Sequence, residues 1–275
     1  MRSTRRSAVL SSVLLLLTIS VLGLGSGEHA GAAKLPLAGL TIVIDPGHNG
    51  GNATYPSTIA RLVDAGGFLK ACDTAGTVTL SGYPEHSFAW SLSLTLGADL
   101  KAAGAKVVLT RTNDHGVGPC IDERAAIGNR LHADLAISLH GDGGPPWGRG
   151  FEVIEPGISV SRRNDDRPIL HHSYALGAAL RDALQSVPQL VPSTYLGEHG
   201  VGLRTDLGGL NLSKVPKVLL EVCNLRNSAD ADLAQSPEWR QEVALALVDG
   251  IERYRGVVRS PTTTTVSPTT TTTGS

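Results

Sequence analysis

An apolar strand that stops abruptly at a histidine-bearing turn occurs twice in this chain. Residues 41–52 read TIVIDPGHNGGN, and residues 134–142 read DLAISLHGD. Each predicts a buried strand that ends at a turn, because proline cannot extend a hydrogen-bonded ladder and glycine permits sharp backbone angles. His48 and His140 therefore stand at strand ends. In open α/β sheets, side chains at the carboxyl ends of parallel strands gather in one crevice.

Strand and helix patterns alternate through most of the chain. Further strands are predicted at residues 106–110, 150–154 and 218–223, with a short one near 202–205. Periodic apolar residues predict helices over residues 83–104, 122–131, 172–186 and 237–254. Residues 53–82 carry no clear pattern, and residues 77–80 are a candidate short surface strand. The alternation predicts an α/β fold, with a single domain in which a twisted, mostly parallel β-sheet is flanked by helices on both faces.

The two ends of the chain differ from its centre. Arg2, Arg5 and Arg6 precede the apolar run 8–24, and small residues follow around Ala32, an order typical of a secretory signal peptide over residues 1–32. An uncleaved membrane anchor is the alternative, but the run is shorter than the ~20 residues of a bilayer span. Residues 257–275 are rich in threonine and proline and predict a disordered tail. The predicted domain occupies residues 33–256.

Charge and cysteine content narrow the class of protein further. Without residues 1–32, the 24 basic and 25 acidic residues of the chain become 21 and 24, so we expect no nucleic-acid partner. Three cysteines in an exported protein leave one over after a single bridge. Cys72 and Cys120 both follow predicted strands at the same end of the sheet and are the expected pair. Cys223, inside an apolar strand, is predicted to be a buried thiol.

Glu221 is the most unusual single residue, because it lies inside the apolar run VLLEVC. A buried carboxylate is costly unless it is paired, protonated or near a metal, and the alternative is an edge-strand glutamate that faces water. A histidine at a turn is, on its own, more often a solvated loop residue than a ligand. Together with His48 and His140, Glu221 indicates a metal site, since catalytic zinc takes imidazole and carboxylate ligands and leaves one position for water. The residues alone do not decide which carboxylate would be the ligand.

Five segments occur in order along the chain: DPGHNG, PEHSFAW, LTRTNDHG, ERAAIGNRLHADLAISLHGD and VPKVLLEVCNLRN. Over residues 40–254 they resemble the zinc-dependent N-acetylmuramoyl-L-alanine amidases of the Amidase_3 family. The resemblance implies that His48, Glu85 and His140 bind Zn²⁺ and that Glu221 is the catalytic glutamate. For Glu85 the alternative is a favourable charge at a helix start.

The resemblance also implies roles for residues beside the ligands and a reaction. Asp45 is expected to orient the turn or a ligand imidazole, and Arg111 and Arg124 to be structural salt-bridge partners. The implied reaction is hydrolysis of the amide between N-acetylmuramic acid and L-alanine of peptidoglycan. Two alternatives remain, namely a zinc peptidase that acts within the stem peptide and a non-catalytic wall-binding regulator.

We expect a peptidoglycan or muropeptide substrate, no membrane span after signal cleavage, and a monomer secreted to the periplasm or cell wall. The segment between His48 and Glu85 is longer than the short glycine-rich link of many relatives, which leaves the rim of the cleft undefined.

Overall fold

The computed structural model describes residues 34–161 and 165–259. Its strands are, in chain order, β1 (Thr41–Pro46), β2 (Leu62–Asp64), β3 (Leu69–Ala71), β4 (Lys106–Leu109), β5 (Leu135–Asp142), β6 (Glu152–Pro156), β7 (Val201–Arg204) and β8 (Lys217–Asn224). Its helices are α1 (Pro56–Ile59), α2 (Glu85–Ala102), α3 (Ile121–Arg130), α4 (Arg167–Leu184), α5 (Gly208–Asn211), α6 (Ser228–Gln235) and α7 (Pro237–Arg259).

Six of the strands form one mixed sheet in the order β4-β1-β5-β8-β6-β7. Strands β4, β1, β5 and β8 run parallel, so the carboxyl ends of β1, β5 and β8 lie at the same end of the sheet. Strand β6 runs antiparallel to β8, and β7 runs parallel to β6. Strands β2 and β3 form a separate antiparallel hairpin. The predicted, mostly parallel sheet is confirmed.

Alternating side chains of the strands build a core on each face of the sheet. Ile42 and Ile44 of β1 belong to the larger core, where the sheet packs against α2 and α4, and α7 packs against these two helices. Val43, between them, packs with Ala136 on the opposite face, which α3 covers. This period of two is the expected consequence of strand geometry. Helices on both faces confirm the predicted α/β architecture.

Most predicted boundaries differ from the structure by one or two residues, and three predictions differ in other ways. Residues 77–80 are not a strand, since Val78 forms only an isolated bridge to Pro84, and the strands of this region are β2 and β3. Helix α4 begins five residues before the predicted start, because Pro168 is tolerated in a first turn. Helix α7 extends to residue 259, three residues past the predicted end of the domain. The predicted signal peptide and residues 260–275 of the predicted tail lie outside the described residues.

None of the helices in residues 34–161 and 165–259 is both long and apolar enough to span a membrane.

Candidate metal centre

Three side chains that lie far apart in the sequence meet at one end of the sheet. His48 follows β1, Glu85 begins α2 and His140 lies near the end of β5. His48 Nε2 lies 3.0 Å from Glu85 Oε1, and His140 Nδ1 lies 2.8 Å from the same oxygen. The three ligand-type atoms are all within 4.8 Å of one another. We call these residues the His-Glu-His cluster. Two imidazoles and one carboxylate at this spacing could hold a metal ion, and they match the donor types of catalytic zinc.

Close packing of the backbone around the His-Glu-His cluster requires two glycines. A Cβ atom added at Gly47 would lie 2.4 Å from His140 Cε1, so no larger residue fits between the first turn and the imidazole. Gly76 has φ +76°, and a Cβ atom there would lie 2.8 Å from both Glu85 Oε2 and His48 Cδ2. His48 itself has φ 56°, a left-handed conformation that non-glycine residues seldom adopt outside constrained sites. The turn is therefore built to place its imidazole.

Glu85 is held by the long segment that precedes it. Thr77 N–H donates to Glu85 Oε2 at 2.9 Å, and Glu85 N–H donates back to Thr77 O at 2.9 Å. Glu85 is buried at the first residue of α2, where a carboxylate is also favoured by the helix dipole. The helix-start interpretation and the cluster interpretation of Glu85 are thus compatible.

The second ring nitrogen of His48 faces Asp73, a residue that the sequence analysis missed. His48 Nδ1 lies 3.1 Å from Asp73 Oδ1 and 3.0 Å from Thr74 O. With Nδ1–H donating to these oxygens, Nε2 is free to face the cluster. Arg124 Nη2 donates to the other Asp73 oxygen at 3.2 Å and to His48 O at 2.8 Å. One sequence feature could have pointed to Asp73, since it directly follows Cys72, a residue expected to form a disulfide.

The disulfide between Cys72 and Cys120 is present, as predicted, with a Cα–Cα distance of 4.4 Å. Cys120 caps the start of α3, the helix that carries Arg124. The bridge therefore joins the loop that holds Asp73 to the helix that holds its ion-pair partner. Cys223 is a buried free thiol, which confirms that prediction.

Glu221 lies in β8, directly across from His140 in the β5 pairing. Strand β8 lies inside the sheet, between β5 and β6, so the edge-strand interpretation of Glu221 is wrong. Its Oε2 atom is buried, and no hydrogen-bond partner for it exists among the described residues. Glu221 and the His-Glu-His cluster line one open cavity of about 370 Å³. We call this space the site cavity.

Burial and charge set the proton affinities of these groups. Burial would by itself raise the pKa of Glu85, but the two neighbouring histidines hold that pKa well below its usual range. Burial would lower the pKa of His48, yet Glu85 and Asp73 raise it to about 10. Burial raises the pKa of Glu221 well above its usual value, and repulsion by Glu85 and Asp142 adds to the effect. The raised pKa of His48 shows that the carboxylates of Glu85 and Asp73 favour a positive charge at this position, a charge that a bound cation would also supply.

Comparison with known proteins agrees with this arrangement. Residues 42–253 match the Amidase_3 family, described as N-acetylmuramoyl-L-alanine amidase. The chain belongs to this family.

Individual relatives match over most of their length. The chain is 42% identical over 232 residues to the N-acetylmuramoyl-L-alanine amidase Rv3717 of Mycobacterium tuberculosis, and the match covers 82% of this chain and 91% of that protein. It is 41% identical to the N-acetylmuramyl-L-alanine amidase Ami1 of Mycobacterium smegmatis, whose crystal structure superposes with a TM-score of 0.74 over 80% of this chain and 99% of that one. The apo form of Ami1 from Mycobacterium abscessus gives 41% identity and a TM-score of 0.72, over 80% of this chain and 100% of that one.

Of the two roles predicted for Asp45, the structure favours support of the turn, since none of its hydrogen bonds within the described residues goes to an imidazole. Its carboxylate accepts hydrogen bonds from four side chains, namely Thr110, Arg124, Ser138 and Lys217. Burial would raise the pKa of Asp45, but Lys217 and Arg124 hold it well below its usual range. Asp45 supports the first turn indirectly, because Arg124 also donates to Pro46 O at 2.7 Å.

Both predicted structural arginines have that role. Arg124 pairs with Asp45 and Asp73, and Arg111 pairs with Asp114 at 2.9 Å. Each also donates to backbone carbonyls of the turn that carries His48.

Proposed function

We propose that this protein is an exported, zinc-dependent amidase that hydrolyses the bond between N-acetylmuramic acid and L-alanine of peptidoglycan. The observation that carries this proposal is the placement of an unpartnered carboxylate oxygen of Glu221 in the same cavity as the His-Glu-His cluster. A metal-dependent hydrolase needs both a cation site and a nearby proton acceptor, and this cavity offers residues for both. Membership of the amidase family supports the choice of bond.

In this proposal, His48, Glu85 and His140 would hold Zn²⁺ through Nε2, Oε1 and Nδ1. Asp73 and Thr74 would fix the tautomer and the ring plane of His48, because their oxygens accept a hydrogen bond from Nδ1–H. Bound Zn²⁺ supplies polarisation of the substrate carbonyl and lowers the pKa of a water molecule.

Glu221 would act as the general base and then as the general acid. Its Oε2 accepts a proton from the attacking water and returns it to the leaving nitrogen of L-alanine. Because no hydrogen-bond donor holds Oε2 among the described residues, the oxygen is available to gain and lose a proton.

Export and location form part of the proposal. The family acts on a substrate outside the cytoplasmic membrane, which agrees with the signal peptide predicted over residues 1–32. We propose a secreted protein that acts in the periplasm or cell wall. The monomeric state and the disordered tail stay predictions.

Two variants test the roles of the site residues. His140→Ala should abolish retention of zinc, measured by elemental analysis of the purified protein. Glu221→Gln should keep zinc while hydrolysis of purified peptidoglycan falls about 10²–10⁴-fold, the range for loss of a general base. Normal hydrolysis by Glu221→Gln would disprove the assignment of the base.

The digestion products distinguish the proposed enzyme from its alternatives. Mass spectrometry of a digest should show intact peptides that begin with L-alanine, and a chelator should stop their release. Peptides cut internally would indicate a peptidase. A zinc-loaded protein that releases nothing would indicate a wall-binding regulator.

A further inference from the structure

Arg204, the last residue of β7, lines the site cavity together with Glu221. Strand register places the two residues at different levels of the sheet. Glu152 of β6 is opposite Glu221, and Pro156 of β6 is opposite Arg204. The two backbone positions are thus offset by four residues along β6, or about 13 Å. The offset runs towards the start of β8 and away from the end of the sheet where the histidines lie.

The site cavity is lined by several acidic side chains and by one basic side chain. Carboxylates of Glu85, Asp142 and Glu221 line it near the His-Glu-His cluster, whereas Arg204 is the one lysine or arginine among its described lining residues. A ligand carboxylate would be repelled near the three acids and attracted near Arg204. Hydrogen bonding to Asp206 raises the pKa of Arg204, and the charges of Glu152 and Glu221 raise it further, so the guanidinium stays a cation.

The partner of Arg204 is exchangeable. Arg204 Nε and Nη2 donate to the two oxygens of Asp206 at 2.6 and 2.7 Å, in the bidentate geometry that any carboxylate can adopt. The two side chains are 47% and 50% exposed, and pairs exposed to this degree contribute little to stability. Asp206 would keep a partner after exchange, because Lys70 Nζ lies 3.5 Å from its Oδ2 and donates to its backbone carbonyl at 2.7 Å.

We propose that Arg204 binds a carboxylate of the stem peptide, on the L-alanine side of the scissile bond, and so fixes the direction of the substrate in the site cavity. This inference rests on the proposed function. The lactyl carboxyl of muramic acid is consumed in the scissile amide, whereas the free carboxyls of the stem peptide lie beyond L-alanine. The leaving peptide therefore extends towards β7, and the sugar extends the other way.

The test uses two muramyl dipeptides that differ only in whether the terminal carboxyl is free or amidated. The wild-type protein should favour the free acid by about tenfold in kcat/KM, chiefly through KM, because a bidentate arginine contact is made to the bound carboxylate. Arg204→Gln should lose this preference, through a higher KM for the free acid. Arg204→Lys should keep part of the preference, since lysine retains the charge but not the fork geometry.

Arg167 provides a matched control outside the cavity lining. Its Nε and Nη2 donate to the two oxygens of Asp165 at 2.8 and 2.6 Å, also across two residues. Arg167→Gln should leave the preference unchanged. The inference is overturned if the wild type hydrolyses both dipeptides equally, if Arg204→Gln keeps the preference, or if Arg167→Gln loses it as well.

Failure of the proposed function would be separable from failure of this inference. A wild-type protein that hydrolyses neither purified peptidoglycan nor the two dipeptides would refute the amidase proposal, and calorimetric binding of the same two dipeptides would then report on Arg204 directly. About tenfold weaker binding of the free acid to Arg204→Gln would support the carboxylate site. Equal binding by variant and wild type would overturn it.

Discussion

Asp45 and Glu221 project from the same face of the sheet, yet their surroundings are opposite. Asp45 lies across from Ser138, which lies across from Leu219, two residues before Glu221 on β8. Four side chains donate to Asp45, including two buried cations. Oε2 of Glu221 is buried without a partner in the described part of the chain.

This difference indicates that Asp45 supports the fold, whereas Glu221 is suited to react. A carboxylate fixed between Lys217 and Arg124 is a permanent charge, and its pKa is held far below the usual range. Glu221 has its pKa raised by burial and by neighbouring acids, so its charge is poorly stabilised by the protein. A group of the first kind holds the fold in place, whereas a group of the second kind can exchange a proton.

Asp45→Asn should have the largest effect on stability. The change leaves Lys217 buried without its anion and leaves Arg124 with Asp73 as its carboxylate partner, and breaking a buried pair such as Lys217–Asp45 costs about 3–5 kcal/mol. Glu221→Gln should change the free energy of unfolding by less than about 1 kcal/mol, since no hydrogen bond to its Oε2 is lost. Urea titration of both variants at neutral pH measures the two values.

Acid provides the control for Asp45. Because its pKa in the folded protein lies below the ordinary value of 3.8, its stabilising contribution is complete above that pH and is lost as the pH falls below it. The difference in the free energy of unfolding between the wild type and Asp45→Asn should therefore become smaller below about pH 4. Equal destabilisation by the Asp45 and Glu221 variants would show that the two carboxylates do not differ in the way described.

Loss of the disulfide should have the next largest effect on the free energy of unfolding, because the bridge, like Asp45, supports the fold. Replacing Cys72 and Cys120 by serine opens a bridge with a sequence separation of 48, and we expect a loss of about 2–4 kcal/mol. Thermal unfolding with and without reductant measures it. Reductant should lower the melting temperature of the wild type and leave that of the double variant unchanged. A further drop in the double variant would assign the redox effect to another group.

Asp73→Ala should have a smaller effect on stability and should act mainly on metal affinity, because Arg124 keeps Asp45 as its second carboxylate partner. Removing the carboxylate partner of a ligating histidine typically weakens metal affinity about 10–100-fold, and competition with a chromogenic chelator measures this loss. Asp73→Asn should recover part of it, because the amide oxygen still accepts from His48 Nδ1.

Asp114 offers a matched control, since it too bridges a histidine Nδ1 and an arginine, namely His86 and Arg111. Asp114→Ala should leave zinc affinity near the wild-type value. An equal loss in both variants would indicate general loosening of the turn rather than a specific role for Asp73.

Local chemistry in the sequence was sufficient for much of the site. An apolar run that meets proline or glycine defines a strand end, so His48 and His140 could be placed at turns from their neighbours alone. A glutamate inside VLLEVC is conspicuous for the same reason. The assignment of Glu85 came from resemblance to a family, because a carboxylate at a helix start has an ordinary explanation of its own.

What the tertiary structure decided depends on contacts between distant residues. The pairing of Lys217 with Asp45 joins positions 172 residues apart, and no local period encodes it. Asp73 reaches His48 only because a disulfide and Arg124 hold its loop. Arg204 reaches the site cavity only because β6 and β7 run antiparallel to β8. Sequence patterns report the period of one element and the chemistry of its ends. Which ends meet is set by packing of the whole sheet, and that packing determined the partners of each charge.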